Sequence, residues 1–247
     1  RSPLLGRLGY LLWLNTGLPV RAVRQGLDIL HFTNVVCPSI RVTNCPYVVS
    51  VFDVHSLRMP ELGAAYGLYR AASMRLTARA AAAVVTCSDY SRREIMGALG
   101  VKPEAITSIP LAPDRSVYRY TRRDEAEAAV LKRFGIEPPF ILGVGPLKAR
   151  KNHSSLLKAF EKLSASGLAY RLVISGDRAW EFKSLKALAI EMGLGNRVAF
   201  VGHVDRADLA MLYSACDVFA YPSLYEGFGL PCLEAMACGA PVVASDR

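Results

Sequence analysis

The chain reads as an α/β protein with two Rossmann-like, doubly wound parallel-sheet domains. Three observations predict the α/β architecture and its division in two. Short β-branched runs alternate with longer helix-period segments along the whole sequence. The runs are almost continuously apolar, as strands covered on both faces are. The alternation breaks once, between about Leu111 and Pro139, where Pro113, a mixed-charge run and Pro138-Pro139 intervene. Right-handed crossovers should connect the strands, and ligands in such sheets bind beyond the carboxyl ends of the strands.

Strands are predicted over residues 28–32, 47–52, 83–87, 140–144, 171–175, 197–201, 217–221 and 241–244. Helix-period segments lie near 64–82, 89–99, 153–165, 180–192, 206–215 and 230–238, with a short helix between 111 and 139. Ser88, Asn152 and Asp205 stand where side-chain oxygens can accept the first free helical N–H groups. Pro231 suits a first helical position, where its missing N–H costs nothing. The alanine run at 78–83 is helix rather than linker. These elements divide the chain into a first domain at 1–115, a linker at 116–138 and a second domain at 139–247. The chain starts at Arg1 and stops just after a strand-like run, so both domains are expected to be incomplete.

At 247 residues, 52% apolar and 21% charged, the composition is that of a soluble globular chain. No apolar run approaches the ~18 residues of a membrane span. The greasy stretch at 4–14 carries Arg7 and lacks a cleavage site, unlike a signal peptide. Six cysteines (37, 45, 87, 216, 232 and 238) form no CxxC pair and no zinc-like spacing. The expectation is a reducing, cytoplasmic setting and no metal. Net charge is +9, with +7 carried up to Arg119 and +2 beyond it. Two readings of the basic half stay open. One is peripheral contact with an anionic membrane face, through Arg70, Arg75 and Arg79 on one helical stretch and Tyr10 and Trp13 near Arg7; the other is an ordinary solvated face. No motif points to nucleic acid.

Two loops of the second domain carry the chemistry. After the run at 140–144 comes Gly145-Pro146-Leu147-Lys148-Ala149-Arg150-Lys151-Asn152, a tight glycine turn followed by three cations and a helix start. Free N–H groups, helix dipole and side-chain charge add there to an anion site, for which a diphosphate is the natural guest. The spacing is not that of a P-loop. After the run at 217–221 comes a loop with Glu226-Gly227-Phe228-Gly229-Leu230-Pro231, leading into a helix that carries Glu234. Two glycines permit close backbone approach, and carboxylates accept paired hydrogen bonds from vicinal hydroxyls. Either loop alone could be plain surface; their joint position at strand tips argues for a ligand site.

Glu226-Gly-Phe-Gly-Leu-Pro-Cys-Leu-Glu234, continued by Ala235-Met-Ala-Cys-Gly-Ala-Pro-Val-Val-Ala-Ser245, resembles the signature of the family 4 retaining glycosyltransferases of GT-B fold. The stretch from Gly143 to Asn152 is similar to that family's donor-diphosphate loop, and weaker likeness runs through 84–94, 173–176, 198–202 and 212–216. The resemblance implies transfer of a hexose (of mannose, glucose or galactose type) from a nucleotide-diphosphate sugar to a glycan or lipid-linked acceptor, with no cofactor. It implies that Lys151, helped by Arg150, stabilises the leaving diphosphate. Glu226 would meet the sugar hydroxyls near Gly145 and the N–H groups of Phe228, Gly229 and Leu230. Glu234 would hold the ribose, and His203 and Val204 would lie against the base. The first domain would face the acceptor. The family's first strand and glycine-rich loop would precede Arg1, and its closing helices would follow Arg247.

Two positions depart from the family. Pro146 stands where many members have Arg, and Phe52 where many have a sugar-touching His. Asp53 and His55 follow Phe52; His55 reads equally as a replacement contact or as a loop histidine. His31 and His153 read as structural by default. Alternatives to the transferase are a non-catalytic nucleotide-sugar-binding protein on the same scaffold and, more weakly, a sugar-nucleotide epimerase, which the EGFGLP…E block opposes.

Overall fold

The structure is a computed structural model that describes residues 9–10, 12–34, 45–58, 64–177 and 181–246. Arg1, Arg7, Cys37 and Arg247, named above, lie outside the described residues. The chain divides into two compact units, Arg1–Leu111 and Ala112–Arg247.

The first unit holds four parallel strands in the order β1-β2-β3-β4: β1 Leu30–Phe32, β2 Tyr47–Ser50, β3 Ala83–Thr86 and β4 Ile106–Ser108. A π-helical turn, Trp13–Gly17, and helix α1, Leu18–Arg24, precede them; α2, His55–Arg58, and α3, Ala64–Ala80, follow β2, and α4, Asp89–Leu99, follows β3. Val49, Val51, Val54, Met74, Val84, Ile95 and Leu99 pack as its core. Ser88 caps α4 as its sequence predicts, accepting from the Ser91 N–H at 3.0 Å. β4 has no counterpart in the sequence reading. Its residues Ile-Thr-Ser offer a single apolar side chain, so pairing with β3 rather than patterning makes it a strand. Among the described residues the order runs in one direction only.

The second unit corrects the expected linker. Residues 116–138 belong to it: α5, Arg123–Phe134, packs on α8, Arg206–Ala215, and Tyr118, Ala126, Val130 and Ile136 enter its core. The charges that suggest a linker occupy the outer face, where Arg123 pairs with Asp217 at 2.6 Å and Arg133 with Asp208 at 3.1 Å. Ala126, Val130 and Phe134, four apart, turn one stripe inward.

The remaining elements are β5 Phe140–Val144, α6 His153–Ala165, β6 Arg171–Ser175, α7 Phe182–Glu191, β7 Val198–Gly202, β8 Val218–Tyr221, α9 Leu230–Ala237 and β9 Val242–Ala244. All five strands are parallel, in the order β7-β6-β5-β8-β9. The chain thus winds outward from β5 through β6 to β7, then returns to add β8 on β5's other side. This reversal between β5 and β8 is the crevice in which doubly wound sheets bind ligands. Among the described residues no helix is long and apolar enough to cross a membrane.

Candidate active site

The loops leaving β5 and β8 flank that reversal, and they are stitched together. The Leu224 N–H donates to the Arg150 carbonyl (2.8 Å), Arg150 Nη1 to the Tyr225 carbonyl (2.8 Å), and Asn152 Nδ2 to the Pro222 carbonyl (3.1 Å). Asn152 is therefore not the expected side-chain cap of α6. It adopts a left-handed conformation (φ 56) and spends its side chain on the neighbouring loop. Asp205 does cap α8, accepting from the Asp208 N–H at 2.8 Å.

Within this frame three charged side chains converge. Lys151 Nζ lies 2.7 Å from Glu226 Oε1, and Arg150 Nη1 lies 2.8 Å from the same oxygen. Lys151 Nζ also donates to the Tyr221 hydroxyl at 2.6 Å, while Lys151 itself is only 6% exposed. Burial pushes the Lys151 ammonium below its ordinary pKa, with Glu226 pulling it back up. Burial acts to raise Glu226, but Lys151 and Arg150 outweigh it and hold the carboxyl below its usual range. The group is a buried ion pair with a second cation at its edge. Two cations against one carboxylate leave net positive charge where an anion can enter.

Glycine makes the packing feasible. A Cβ at Gly145 (φ +139) would lie 3.0–3.2 Å from the Lys151 side chain, and one at Gly176 would lie 1.9 Å from the Gly145 carbonyl oxygen. Gly229 takes a left-handed conformation (φ +86) just before α9. The N–H groups of Phe228, Gly229 and Leu230 find no protein acceptor among the described residues.

Glu234, one turn into α9, keeps different company. Among the described residues it forms no hydrogen bond or ion pair with Lys151 or Glu226, and Tyr213 Oη lies 3.5 Å from its Oε2. Burial raises its pKa, against opposing pulls from Tyr213, Arg206 and Tyr118. Tyr213 and Tyr221 both pack on Phe219, at ring separations of 5.1 and 5.7 Å, so the two carboxylates are supported by one aromatic row. His203 is exposed and 3.4 Å from Asp177, and Val204 is half-buried against the core. Both follow β7, two strands from β5, and neither joins the charged cluster.

Tyr221, which the sequence reading did not single out, and His153, which it reads as structural by default, belong to this region. His153 is buried, its Nε2 3.3 Å from the Gly145 carbonyl oxygen, and burial depresses its pKa to about 4. The first unit has its own polar cavity of about 250 Å³ at the tips of β1 and β2, lined by Ser50, Phe52, Asp53, His55 and Arg70 among others. His55 Nδ1 lies 2.8 Å from Asp53 Oδ1, and Phe52 is 46% exposed. Arg70 reaches Ser56 Oγ at 3.3 Å, Arg75 the Ala98 carbonyl at 2.9 Å, and Arg79 lies against Gly100. Arg70 and Arg75 thus hydrogen-bond within their own unit.

A buried lysine–carboxylate pair beside unpaired backbone N–H groups thus sits where doubly wound α/β units bind their ligands. Comparison with known proteins narrows this reading. Residues 129–247 match the family described as Glycosyl transferases group 1. The O-antigen chain mannosyltransferase B of Escherichia coli is 36% identical over 181 residues, which is 72% of this chain and 47% of that protein. Mannosylfructose-phosphate synthase of Agrobacterium fabrum is 30% identical over 185 residues, 72% of this chain and 38% of that protein. The structure of Anabaena HepE in complex with UDP and glucose superposes with a TM-score of 0.75 at 25% identity, covering 96% of this chain and 64% of HepE. Residues 129–247 thus resemble the group 1 glycosyltransferases, the structural neighbours are GT-B proteins, and the chain spans half or less of the curated relatives cited.

Proposed function

We propose that the protein is a retaining hexosyltransferase moving a sugar from a nucleotide diphosphate to a glycan or lipid-linked acceptor. The observation that carries this reading is the Lys151–Glu226–Arg150 cluster at the β5/β8 reversal. Lys151 and Arg150 would neutralise charge growing on the departing diphosphate, which is electrostatic catalysis by preorganised cations. Glu226, held ionised and fixed by both cations, would accept hydrogen bonds from sugar hydroxyls, with the N–H groups of Phe228, Gly229 and Leu230 alongside. Glu234 would take the ribose, and His203 and Val204 the base. Front-face attack, with the leaving phosphate accepting the acceptor's proton, requires no enzymic base, and none is assigned. On the acceptor side, the first unit's cavity offers Asp53 and His55. Similarity to a mannosyltransferase favours a mannose-type donor. Among cellular settings, a cytoplasmic protein touching an anionic membrane fits exposed Tyr10, Leu12 and Trp13; co-sedimentation with anionic vesicles tests that contact.

The test is incubation of the full-length protein with UDP-, GDP- and ADP-sugars, following transfer or slow hydrolysis and the configuration of the product. The expected result is turnover of one donor with retained configuration, lowered by ~10²–10³ in Lys151→Ala and Glu226→Ala. Undiminished turnover in both variants overturns the reading. Phe52 supports a second reading, a nucleotide-sugar-binding protein without turnover, since the family's sugar-touching His is replaced there. Donor binding with no turnover in the full-length protein would select it.

A further inference from the structure

The switch-point region contains a buried imidazole for which the transfer chemistry above has no use. His153 is 3% exposed, and its Nε2 stands 3.3 Å from the Gly145 carbonyl oxygen. A carbonyl only accepts, so Nε2 carries the proton. Among the described residues it is the only donor to that oxygen. The ring's other nitrogen, Nδ1, is buried with no hydrogen-bond partner. An apolar side chain would fill the same space without burying an unmet acceptor. Packing alone therefore does not explain a histidine, whereas the Nε2–H bond does.

The Gly145 peptide is held on every side. Its N–H donates to the Ser175 carbonyl at 2.9 Å, its carbonyl oxygen would lie only 1.9 Å from a Cβ at Gly176, and its α-carbon is covered by the Lys151 side chain. The φ of +139 is one that side-chain-bearing residues rarely adopt, so the peptide does not take this orientation by default. The following residue, Pro146, has no N–H to offer an anion. If the Gly145 carbonyl swung outward, it would place a partial negative charge where the diphosphate is to sit.

We infer that His153 is a positioning residue for the donor diphosphate: its Nε2–H holds the Gly145 carbonyl inward against Gly176, leaving the Lys151 face of the loop free for phosphate. The inference rests on the donor-site reading above. It assigns His153 no contact with substrate. It separates the diphosphate contribution to affinity from the contribution of base and ribose, because only the phosphates meet this loop.

The test is calorimetric titration of the full-length protein with UDP, GDP and ADP and with the matching monophosphates. In His153→Leu, affinity for the preferred diphosphate should fall roughly tenfold while affinity for its monophosphate changes less than about twofold, the loss of one positioned hydrogen bond. His153→Gln, whose side-chain amide can carry an N–H to the place of Nε2, should recover most of the diphosphate affinity. If His153→Leu does not fold, His153→Asn, polar but too short to reach, should show the same pattern. Equal losses for diphosphate and monophosphate, or no loss for either, overturn the inference while leaving the donor site intact. A wild-type protein that binds none of the three diphosphates better than its monophosphate refutes the donor-site reading and this inference with it.

Discussion

The two units place polar residues at the tips of parallel strands, yet they build those tips in opposite ways. In the second unit the strand order reverses at β5/β8, and the two loops there are tied by side-chain and backbone bonds around buried charges. In the first unit the described strands run 1-2-3-4 without reversal, and the tips of β1 and β2 carry a half-open cavity. Asp53 and His55 there are each about one-third exposed. A buried ion pair loses much when one partner goes, because the other is left uncompensated; an exposed pair loses little. In the proposed transfer reaction, rigid charge suits a part that meets the same leaving group in every turnover. An open, weakly committed cavity suits a part whose partner varies.

The largest effect expected from this contrast is at Lys151 and Glu226. Lys151→Ala or Glu226→Ala should lower kcat by ~10²–10³, the range for losing one preorganised electrostatic contact. Glu226→Ala should also destabilise the second unit by about 3 kcal/mol, because the buried Lys151 is left without a carboxylate, and Lys151→Ala by less, because Arg150 still pairs with Glu226. Lys151→Met combined with Glu226→Gln should regain most of that stability but none of the activity. Denaturant unfolding and steady-state kinetics on the same four proteins decide the matter. An active double variant would mean that the cluster is scaffold only.

Gly176→Ala comes next. Its Cβ would lie 1.9 Å from the Gly145 oxygen, so either the loop or the strand tip must shift. Overpacking costs ~1–3 kcal/mol, and the loss should appear in both thermal stability and donor affinity. The control in the first unit is Phe52→His, at a half-exposed position, which should leave the melting temperature within about a degree or two. In that same cavity Asp53→Asn, by removing a charged acceptor, should raise the acceptor KM roughly tenfold, about 1.4 kcal/mol. Affinity for the nucleoside diphosphate should not change. A loss of diphosphate affinity in Asp53→Asn would break the assignment of the two units to separate substrates.

Much of this frame was legible from local patterning. The bounds of β5, β6, α4, α6 and α8 follow from apolar periodicity plus the signals at Ser88 and Asp205. The convergence of Lys151 with Glu226, 75 residues apart, follows from the rule that strand tips carry the site. What patterning misses is decided by distant partners. Tyr221 reads as the last residue of an apolar strand, and only its 2.6 Å bond to Lys151 marks it. β4 exists because β3 pairs with it. The segment at 116–138 reads as linker because its charges are conspicuous, while its spaced Ala126, Val130 and Phe134 are not. Asn152 has the sequence of a cap but is recruited by the Pro222 carbonyl instead.

The smallest expected effect separates the two carboxylates of the signature. Glu226 is held below the ordinary carboxyl range and Glu234 is raised above it, where the ordinary value is 4.5. As pH falls, Glu234 therefore protonates first. If it accepts the two ribose hydroxyl protons, donor affinity is full above its folded pKa and lost below it, by at most about tenfold per pH unit. Stability moves the other way. A carboxyl whose pKa is raised by folding binds more protons in the native state than unfolded over that interval, so the free protein gains stability as pH falls through it. Glu234→Gln should remove both slopes and weaken nucleoside diphosphate binding only a few-fold at neutral pH, since the amide keeps one acceptor. Titrating donor affinity and ligand-free stability over the same acidic range in wild type and Glu234→Gln tests the assignment. Affinity and stability that fall together in the wild type, or an acid limb that survives in Glu234→Gln, would place the ribose contact elsewhere than Glu234.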